Sequence, residues 1–193
     1  VAPSFISLEN VAAHLKGLAL ENVTLAAQDI SPFPKGSYTG AIAADMVLPM
    51  ARYVIVGHSE RCRYFHETRQ DLVNKVTEAA DSGLSPIVCV DSSNALSILA
   101  ALADIECEQL VVAYAPVEAL NFNIPESPEK VVETVEHINK LFPAWPIVYG
   151  GALVPNNAQR YLQLPLLSGV FVGASSLEPD TFIDIYNQAV SLQ

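Results

Sequence analysis

Cysteine and basic residues are scarce in this sequence, and each shortage excludes a class of protein. Only three cysteines occur, Cys62, Cys89 and Cys107, with no CxxC pair among them, so neither a disulfide framework nor a zinc site is expected. Isolated thiols of this kind are typical of cytoplasmic proteins. Lysine and arginine number 10 against 21 acidic residues, giving a net charge of -11. Such a surface repels nucleic acids and anionic membranes, so we predict neither as a partner.

Long apolar runs and a dinucleotide-binding fingerprint are also missing. No stretch approaches the roughly 20 apolar residues of a membrane-spanning helix, and no signal peptide is recognisable. The absence of a GxGxxG motif after a first strand disfavours a Rossmann domain. What the sequence has instead is an apolar bulk, with 51% hydrophobic and only 16% charged residues. Strands buried on both faces of a parallel α/β sheet produce such a composition.

Short apolar runs alternate with amphipathic segments along the whole chain. The runs show no strict polar alternation, so we predict strands buried on both faces, at residues 24–28, 53–56, 86–90, 110–114, 146–149 and 169–172. Between them lie helix-start signals, including a capping-box pattern at Thr68 and the pair Ser127-Pro128. Because helical segments separate the strands, the pattern predicts a parallel sheet in a single α/β domain over residues 1–193.

A polar run directly follows the predicted strand at residues 53–56. It reads Gly57-His58-Ser59-Glu60-Arg61. A histidine at the carboxyl end of a strand, beside a helix start, is well placed to donate a hydrogen bond to a substrate carbonyl. A lone histidine in such a place is more often a capping residue without chemistry, but the five-residue run with its flanks favours a catalytic role.

The segment Val54 to Arg61 resembles the triosephosphate isomerase family, whose fold is a (β/α)8 TIM barrel. Residues 36–40, with Tyr38 and Thr39, are similar to the loop through which one subunit of the family's dimer reaches its neighbour. Two glycine turns resemble those that hold phosphate after its seventh and eighth strands. The resemblance implies interconversion of dihydroxyacetone phosphate and glyceraldehyde 3-phosphate through an enediolate. It also implies a cytoplasmic homodimer of glycolysis and gluconeogenesis that needs no cofactor and no metal.

The resemblance assigns a role to each matching residue. His58 would be the electrophile, its imidazole kept neutral as is known for this family, and Glu60 the carboxylate beside it. Glycine lets backbone N–H groups approach a phosphate closely, and the groups implied here are those of Gly151, Ala152, Gly173 and Ala174. The family usually has serine and glycine at the two alanine positions, but the backbone N–H groups survive both changes.

The residues expected to carry out proton transfer depart from the family pattern. The family's run Ala-Tyr-Glu-Pro-Val reads Ala113-Tyr114-Ala115-Pro116-Val117 here, so Ala115 fills the position of the catalytic base. A methyl group accepts no proton, and general acid–base catalysis contributes about 10²–10⁴-fold. The segment that would form the lid, beginning with Pro116, Val117 and Glu118, lacks the family's Gly-Thr-Gly hinge. We therefore expect an impaired enzyme.

No segment matches the family's first β/α unit or most of its second strand, which carry a substrate-binding Asn and Lys. We expect a barrel lacking these parts, with the missing segment absent, cleaved or supplied by another chain. Two functions stay open: an impaired triosephosphate isomerase, and a non-catalytic homologue with weak phosphate binding or an interaction role. A third, a phosphate-binding barrel acting on an indole or nucleotide precursor, fits the glycine turns but leaves the His58 run unexplained.

Overall fold

A computed structural model describes residues 1–18, 20, 22–107 and 109–192. The strands in these ranges are β1 Ala26–Ala27, β2 Tyr53–Val56, β3 Ser85–Val90, β4 Val111–Tyr114, β5 Ile147–Tyr149 and β6 Leu167–Val170. The helices are α1 Phe5–Leu18, α2 Ala44–Val47, α3 Ser59–Tyr64, α4 Arg69–Ser82, α5 Ala95–Leu102, α6 Val117–Phe122, α7 Pro128–Leu141, α8 Pro155–Leu162 and α9 Pro179–Val190. A 3₁₀ helix spans Ala174–Leu177.

The strands follow one another in the sheet in chain order, from β1 to β6. The pairs β1–β2, β2–β3, β4–β5 and β5–β6 are parallel. Parallel strands in sequential order, with helices between them, are typical of a (β/α)8 barrel, so the predicted fold class is confirmed. The valines Val54, Val56, Val88 and Val112 have no exposed surface, which explains why the runs show no polar alternation.

The strand bounds agree with the sequence pattern to different degrees. The prediction for residues 53–56 is confirmed by β2, whereas the run at 24–28 is reduced to the two residues of β1. Beside β1, the Val1 amino group donates to Thr24 O at 2.7 Å, and Ala26 N donates to Val1 O at 2.9 Å. The prediction for 169–172 was wrong by two residues, since β6 spans Leu167–Val170. Its pairing with β5 contains a register irregularity at Ile147/Val148.

The predicted helix-start signals are confirmed. Thr68 Oγ1 accepts a hydrogen bond from Asp71 N, the Asp71 carboxylate accepts one from Thr68 N, and Gly83 ends α4 with a φ of 83°. Ser127 accepts from Lys130 N at the start of α7. These caps satisfy backbone groups that the helix itself leaves unpaired, so helix bounds here follow from local sequence.

The chain divides into two compact units. The first unit comprises Val1–Val88 and Ala100–Leu110, and the second comprises Cys89–Leu99 and Val111–Gln193. His58 therefore lies in the first unit, whereas Ala115 and both glycine turns lie in the second. The single domain over residues 1–193 stays a prediction. Across the described ranges, no helix combines the length and apolar character needed to cross a membrane.

Candidate functional site

His58 connects β2 to α3 in the first unit. Gly57 has a φ of 75°, a left-handed conformation that glycine adopts readily, and His58 follows as the N-cap of α3. Its Nδ1 accepts a hydrogen bond from Glu60 N at 3.3 Å. An atom that accepts from an N–H carries no proton itself, so this contact favours the neutral tautomer with its proton on Nε2.

The Glu60 carboxylate lies beside the same imidazole nitrogen. Its Oε2 is 3.7 Å from His58 Nδ1, which exceeds hydrogen-bond distance. The Glu60 side chain is also 74% exposed, so solvent screens its charge. Of these two neighbours, the backbone N–H is therefore the one that sets the tautomer. The structure thus brings His58 and Glu60 together, as the sequence predicted; their chemical roles stay proposals.

Four charged side chains form a closed ring next to this helix. Arg61 Nη2 lies 2.8 Å from Asp29 Oδ2, and Arg61 Nε lies 2.5 Å from Glu67 Oε1. Lys75 Nζ lies 2.6 Å from Asp29 Oδ1 and closes the ring with a short contact to Glu67 Oε1. Two carboxylates and two cations leave no net charge, which is the condition under which buried ions are tolerated. We call these four residues the ion ring.

The ion ring is largely shielded from water. The side chains of Lys75, Glu67 and Asp29 are 3%, 9% and 12% exposed. Burial raises the pKa of Asp29 above its ordinary value, against the lowering effect of Lys75 and Arg61. Glu67 Oε2 is buried without a hydrogen-bond partner among the described residues, so the charge of Glu67 depends on the two cations at Oε1.

Sequence reasoning missed Asp29 and Lys75 as part of this site. A signal was present for Lys75, since it shares a helix face with Leu72, Val76 and Ala79, all of which are buried in α4. A charged residue on an apolar helix face predicts a buried partner of opposite sign. Asp29 carries no comparable local signal, because its partner Lys75 is 46 residues away.

Ala115 directly follows β4 in the second unit. Its side chain is buried, and its N–H donates to Val90 O at 2.8 Å. This contact continues the pairing between adjacent strands, so the backbone at this position is ordered although the side chain offers only a methyl group. Another residue could replace the base only if its carboxylate reached this position from a neighbouring element.

Asp91, at the end of β3, is a poor replacement. Its carboxylate accepts from Val117 N at 2.9 Å and from the backbone and hydroxyl groups of Ser93 at 2.8 and 2.6 Å. Burial raises the pKa of Asp91, but these hydrogen bonds outweigh it and hold the pKa below the ordinary value. A carboxylate with a lowered pKa and three donors is a weak proton acceptor.

Glu126 is held by hydrogen bonds from two further elements. Tyr114 OH donates to Glu126 Oε2 at 2.6 Å, and Lys130 Nζ lies 2.5 Å from Oε1. Both oxygens of the Glu126 carboxylate therefore have partners, Tyr114 OH and Lys130 Nζ.

The segment that corresponds to the predicted lid is held at both ends. Pro116 is buried, Glu118 is exposed, and α6 begins at Val117, whose N–H is bound by Asp91. At the far end, Glu126 N donates to Tyr149 OH at 3.0 Å, and Tyr161 OH donates to Glu126 O at 2.6 Å. Opening of this segment stays a proposal, and these bonds oppose it.

The two glycine turns differ in what surrounds them. A Cβ on Gly150 would lie 3.1 Å from Phe171 O and 3.0 Å from its ring, and one on Gly151 would lie 2.6 Å from Tyr149 OH. Close packing therefore requires both glycines even without a ligand. A Cβ on Gly173, by contrast, would meet nothing within 4 Å, so the absence of a side chain there leaves open space.

The resemblance assigns four backbone N–H groups of the two glycine turns to phosphate binding. Among the backbone hydrogen bonds between described residues outside regular helices and strands, none is donated by Gly151, Ala152, Gly173 or Ala174. Ala152 has a φ of 48°, a left-handed conformation that is uncommon for residues other than glycine. Binding of an anion by these N–H groups stays a proposal.

The loop predicted to reach a second subunit lies on the surface of the first unit. Tyr38 stacks on Phe33 with ring centroids 4.7 Å apart, and both rings stay about half exposed. Thr39 is exposed beside them. Tyr64 and Phe65, at the end of α3, are also exposed.

No group of three His, Cys, Asp or Glu residues in the described part of the chain has a geometry that would hold a metal ion.

Comparison with known proteins identifies the family to which this chain belongs. The sequence model of the triosephosphate isomerase family matches residues 1–189. A triosephosphate isomerase of Halorhodospira halophila is 33% identical over an alignment of 192 positions, which covers 86% of this chain and 77% of the relative. That of Dehalococcoides mccartyi is 33% identical over an alignment of 214 positions, which covers 100% of this chain and 84% of the relative. That of Alkalilimnicola ehrlichii is 35% identical over an alignment of 191 positions, which covers 86% of this chain and 76% of the relative. The chain therefore belongs to the triosephosphate isomerase family.

Proposed function

We propose that this chain binds triose phosphates but isomerises them far more slowly than a relative with a glutamate at position 115. One observation carries the proposal: Ala115 offers only a methyl group, while Asp91 and Glu126 are bound elsewhere. Dihydroxyacetone phosphate and glyceraldehyde 3-phosphate are the expected ligands. The glycine turns would bind the phosphate through the N–H groups of Gly151, Ala152, Gly173 and Ala174.

His58 supplies the part of the chemistry that the chain retains. Its Nδ1 accepts from Glu60 N, so its Nε2 carries the proton and is the atom that would donate to a substrate carbonyl. Polarising the carbonyl makes the neighbouring C–H more acidic, but a base must still remove the proton. Loss of a general base lowers rates by about 10²–10⁴-fold, and more where proton abstraction is the central step.

A coupled isomerase assay of three proteins tests the proposal. We expect very low turnover from the unaltered chain and an increase of about 10²–10⁴-fold for Ala115→Glu, because a carboxylate is restored. Ala115→Gln is the matched control, since it has nearly the same size and no basic oxygen, and it should stay at the low rate. Turnover of the unaltered chain that equals that of Ala115→Glu would contradict the proposal.

The second candidate is a non-catalytic homologue with an interaction role. It is favoured by the exposed apolar side chains Phe122 and Ile124, which are 72% and 67% exposed, on a segment held at both ends. Calorimetric titration with dihydroxyacetone phosphate separates the two candidates. Heat of binding that is lost in Gly173→Ala supports the first candidate, and no binding together with no turnover by Ala115→Glu supports the second.

We further propose a homodimer formed through the first unit. Its support is the stacked and half-exposed pair of Phe33 and Tyr38, since exposed apolar side chains that contact one another are typical of interfaces. Tyr64 and Phe65 of the same unit are also exposed. Light scattering should show twice the chain mass, and Tyr38→Asp should shift it towards the monomer. A cytoplasmic location and a single barrel domain over residues 1–193 remain predictions from the family and the composition.

A further inference from the structure

Helix α3 cannot hold its own place by apolar packing. It has six residues, Ser59–Tyr64, and none of them is buried. Isolated helices of this length are unstable in water, because the nucleation cost is not recovered in a single turn or two. Yet α3 fixes His58, whose carbonyl accepts from Arg61 N at 2.9 Å and from Cys62 N at 3.1 Å. Something other than the hydrophobic core must therefore secure it.

Arg61 joins α3 to two other parts of the first unit. Its guanidinium spans two carboxylates, with Asp29 at 2.8 Å and Glu67 at 2.5 Å. Asp29 follows β1 in sequence, and Glu67 lies between α3 and α4. A planar guanidinium bonded at two edges is fixed in orientation as well as position. The first turn of α3 is thereby tied to two separate parts of the unit.

Lys75 makes this anchor possible without touching α3. It is 2% exposed and contacts both carboxylates that Arg61 contacts. Without it, two buried negative charges would face one cation, and a buried charge without compensation is strongly unfavourable. The expected relief is protonation of a carboxylate or entry of water, and either would weaken the hold on Arg61.

We infer that Asp29, Glu67 and Lys75 are positioning residues for His58, acting through Arg61 on the first turn of α3. The ion ring keeps Glu60 N directed at His58 Nδ1, and this contact keeps the Nε2–H tautomer. The inference deepens the proposed function, because it concerns the residue that would polarise the substrate carbonyl. It makes no use of Ala115 or of the glycine turns.

The test compares Lys75→Met and Asp29→Asn with the unaltered protein by nitrogen-15 NMR of the histidine side chains. In the unaltered protein, the neutral form of His58 should carry its proton on Nε2, because Nδ1 accepts from Glu60 N. In both variants we expect a mixture of tautomers, and amide hydrogen exchange at Arg61 and Cys62 that is about tenfold faster or more. Arg160→Met is the matched control, since it removes an exposed cation from an exposed pair.

The outcomes separate this inference from the proposed function, because no readout needs a ligand or turnover. His137 in the second unit serves as an internal reference whose spectrum should not change. If Lys75→Met fails to fold, the near-isosteric Asp29→Asn decides. Folded variants with an unchanged His58 tautomer and unchanged exchange at Arg61 and Cys62 would overturn the inference, even if the chain binds triose phosphate.

Discussion

Each unit contains a network of charged and polar side chains, and the two networks stabilise different parts of the chain. In the first unit, the ion ring secures a short helix and leaves the His58 imidazole presented at its start. In the second unit, the segment after β4 is held by hydrogen bonds from Val117 N to Asp91 and from Tyr114 OH to Glu126. The buried Ala115 directly precedes this segment. The first network therefore supports the imidazole that we propose as the electrophile, whereas the second surrounds a position that offers only a methyl group.

The largest expected effect comes from the lysines of the two networks. Lys75→Met should destabilise the protein by about 3–5 kcal/mol, because it leaves buried carboxylates without compensation. Lys130→Met should cost about 1 kcal/mol or less, since Lys130 is 53% exposed and water can take its place. Urea unfolding of both variants measures the difference. Equal losses would show that the two networks do not differ in burial as described.

A second contrast concerns the two glycine turns. Gly150→Ala should destabilise by about 1–3 kcal/mol, because its Cβ would press against the Phe171 carbonyl and ring. Gly173→Ala should cost about 1 kcal/mol or less, since space is open there, while weakening binding of dihydroxyacetone phosphate. Thermal unfolding and calorimetric titration check the pair. An unaltered affinity of the Gly173→Ala protein would show that this turn does not contribute to phosphate binding.

The hydroxyl of Tyr149 should matter more for the segment after β4 than for overall stability. Tyr149→Phe removes the acceptor of Glu126 N and a weaker contact to Gly151 O. We expect a loss of about 1 kcal/mol, with faster proteolysis between residues 117 and 126. Tyr38→Phe, at an exposed ring, is the control. Unchanged cleavage in Tyr149→Phe would mean that the segment is held without this bond.

The smallest effect is a pH dependence centred on Asp29. Its folded pKa is raised above 3.8 by burial, so the folded state binds this proton more tightly than the unfolded state. The contribution of Asp29 to stability therefore falls as pH rises through the interval above 3.8. The stability of the unaltered protein relative to Asp29→Asn should decline over that interval in urea unfolding. A relative stability that rises with pH would show that folding lowers the pKa of Asp29 instead of raising it.

The parts of the structure that sequence could predict are those determined by neighbouring residues. The strand before His58 and the caps at Thr68 and Ser127 each depend on a few consecutive side chains. The contact between Asp29 and Lys75 joins residues 46 positions apart, so no local pattern encodes it. The position of Ala115 was predicted by resemblance. The bonds of Glu126 were not, because they depend on the ends of β4 and β5.

In the function that we propose, this chain polarises a substrate carbonyl but lacks a base to remove the neighbouring proton. Incorporation of deuterium from heavy water into bound dihydroxyacetone phosphate measures that proton removal directly. We predict incorporation at the buffer rate for the unaltered protein and rapid incorporation for Ala115→Glu that is lost again when His58→Ala is added. Rapid incorporation by the unaltered protein, abolished by His58→Ala, would contradict the account.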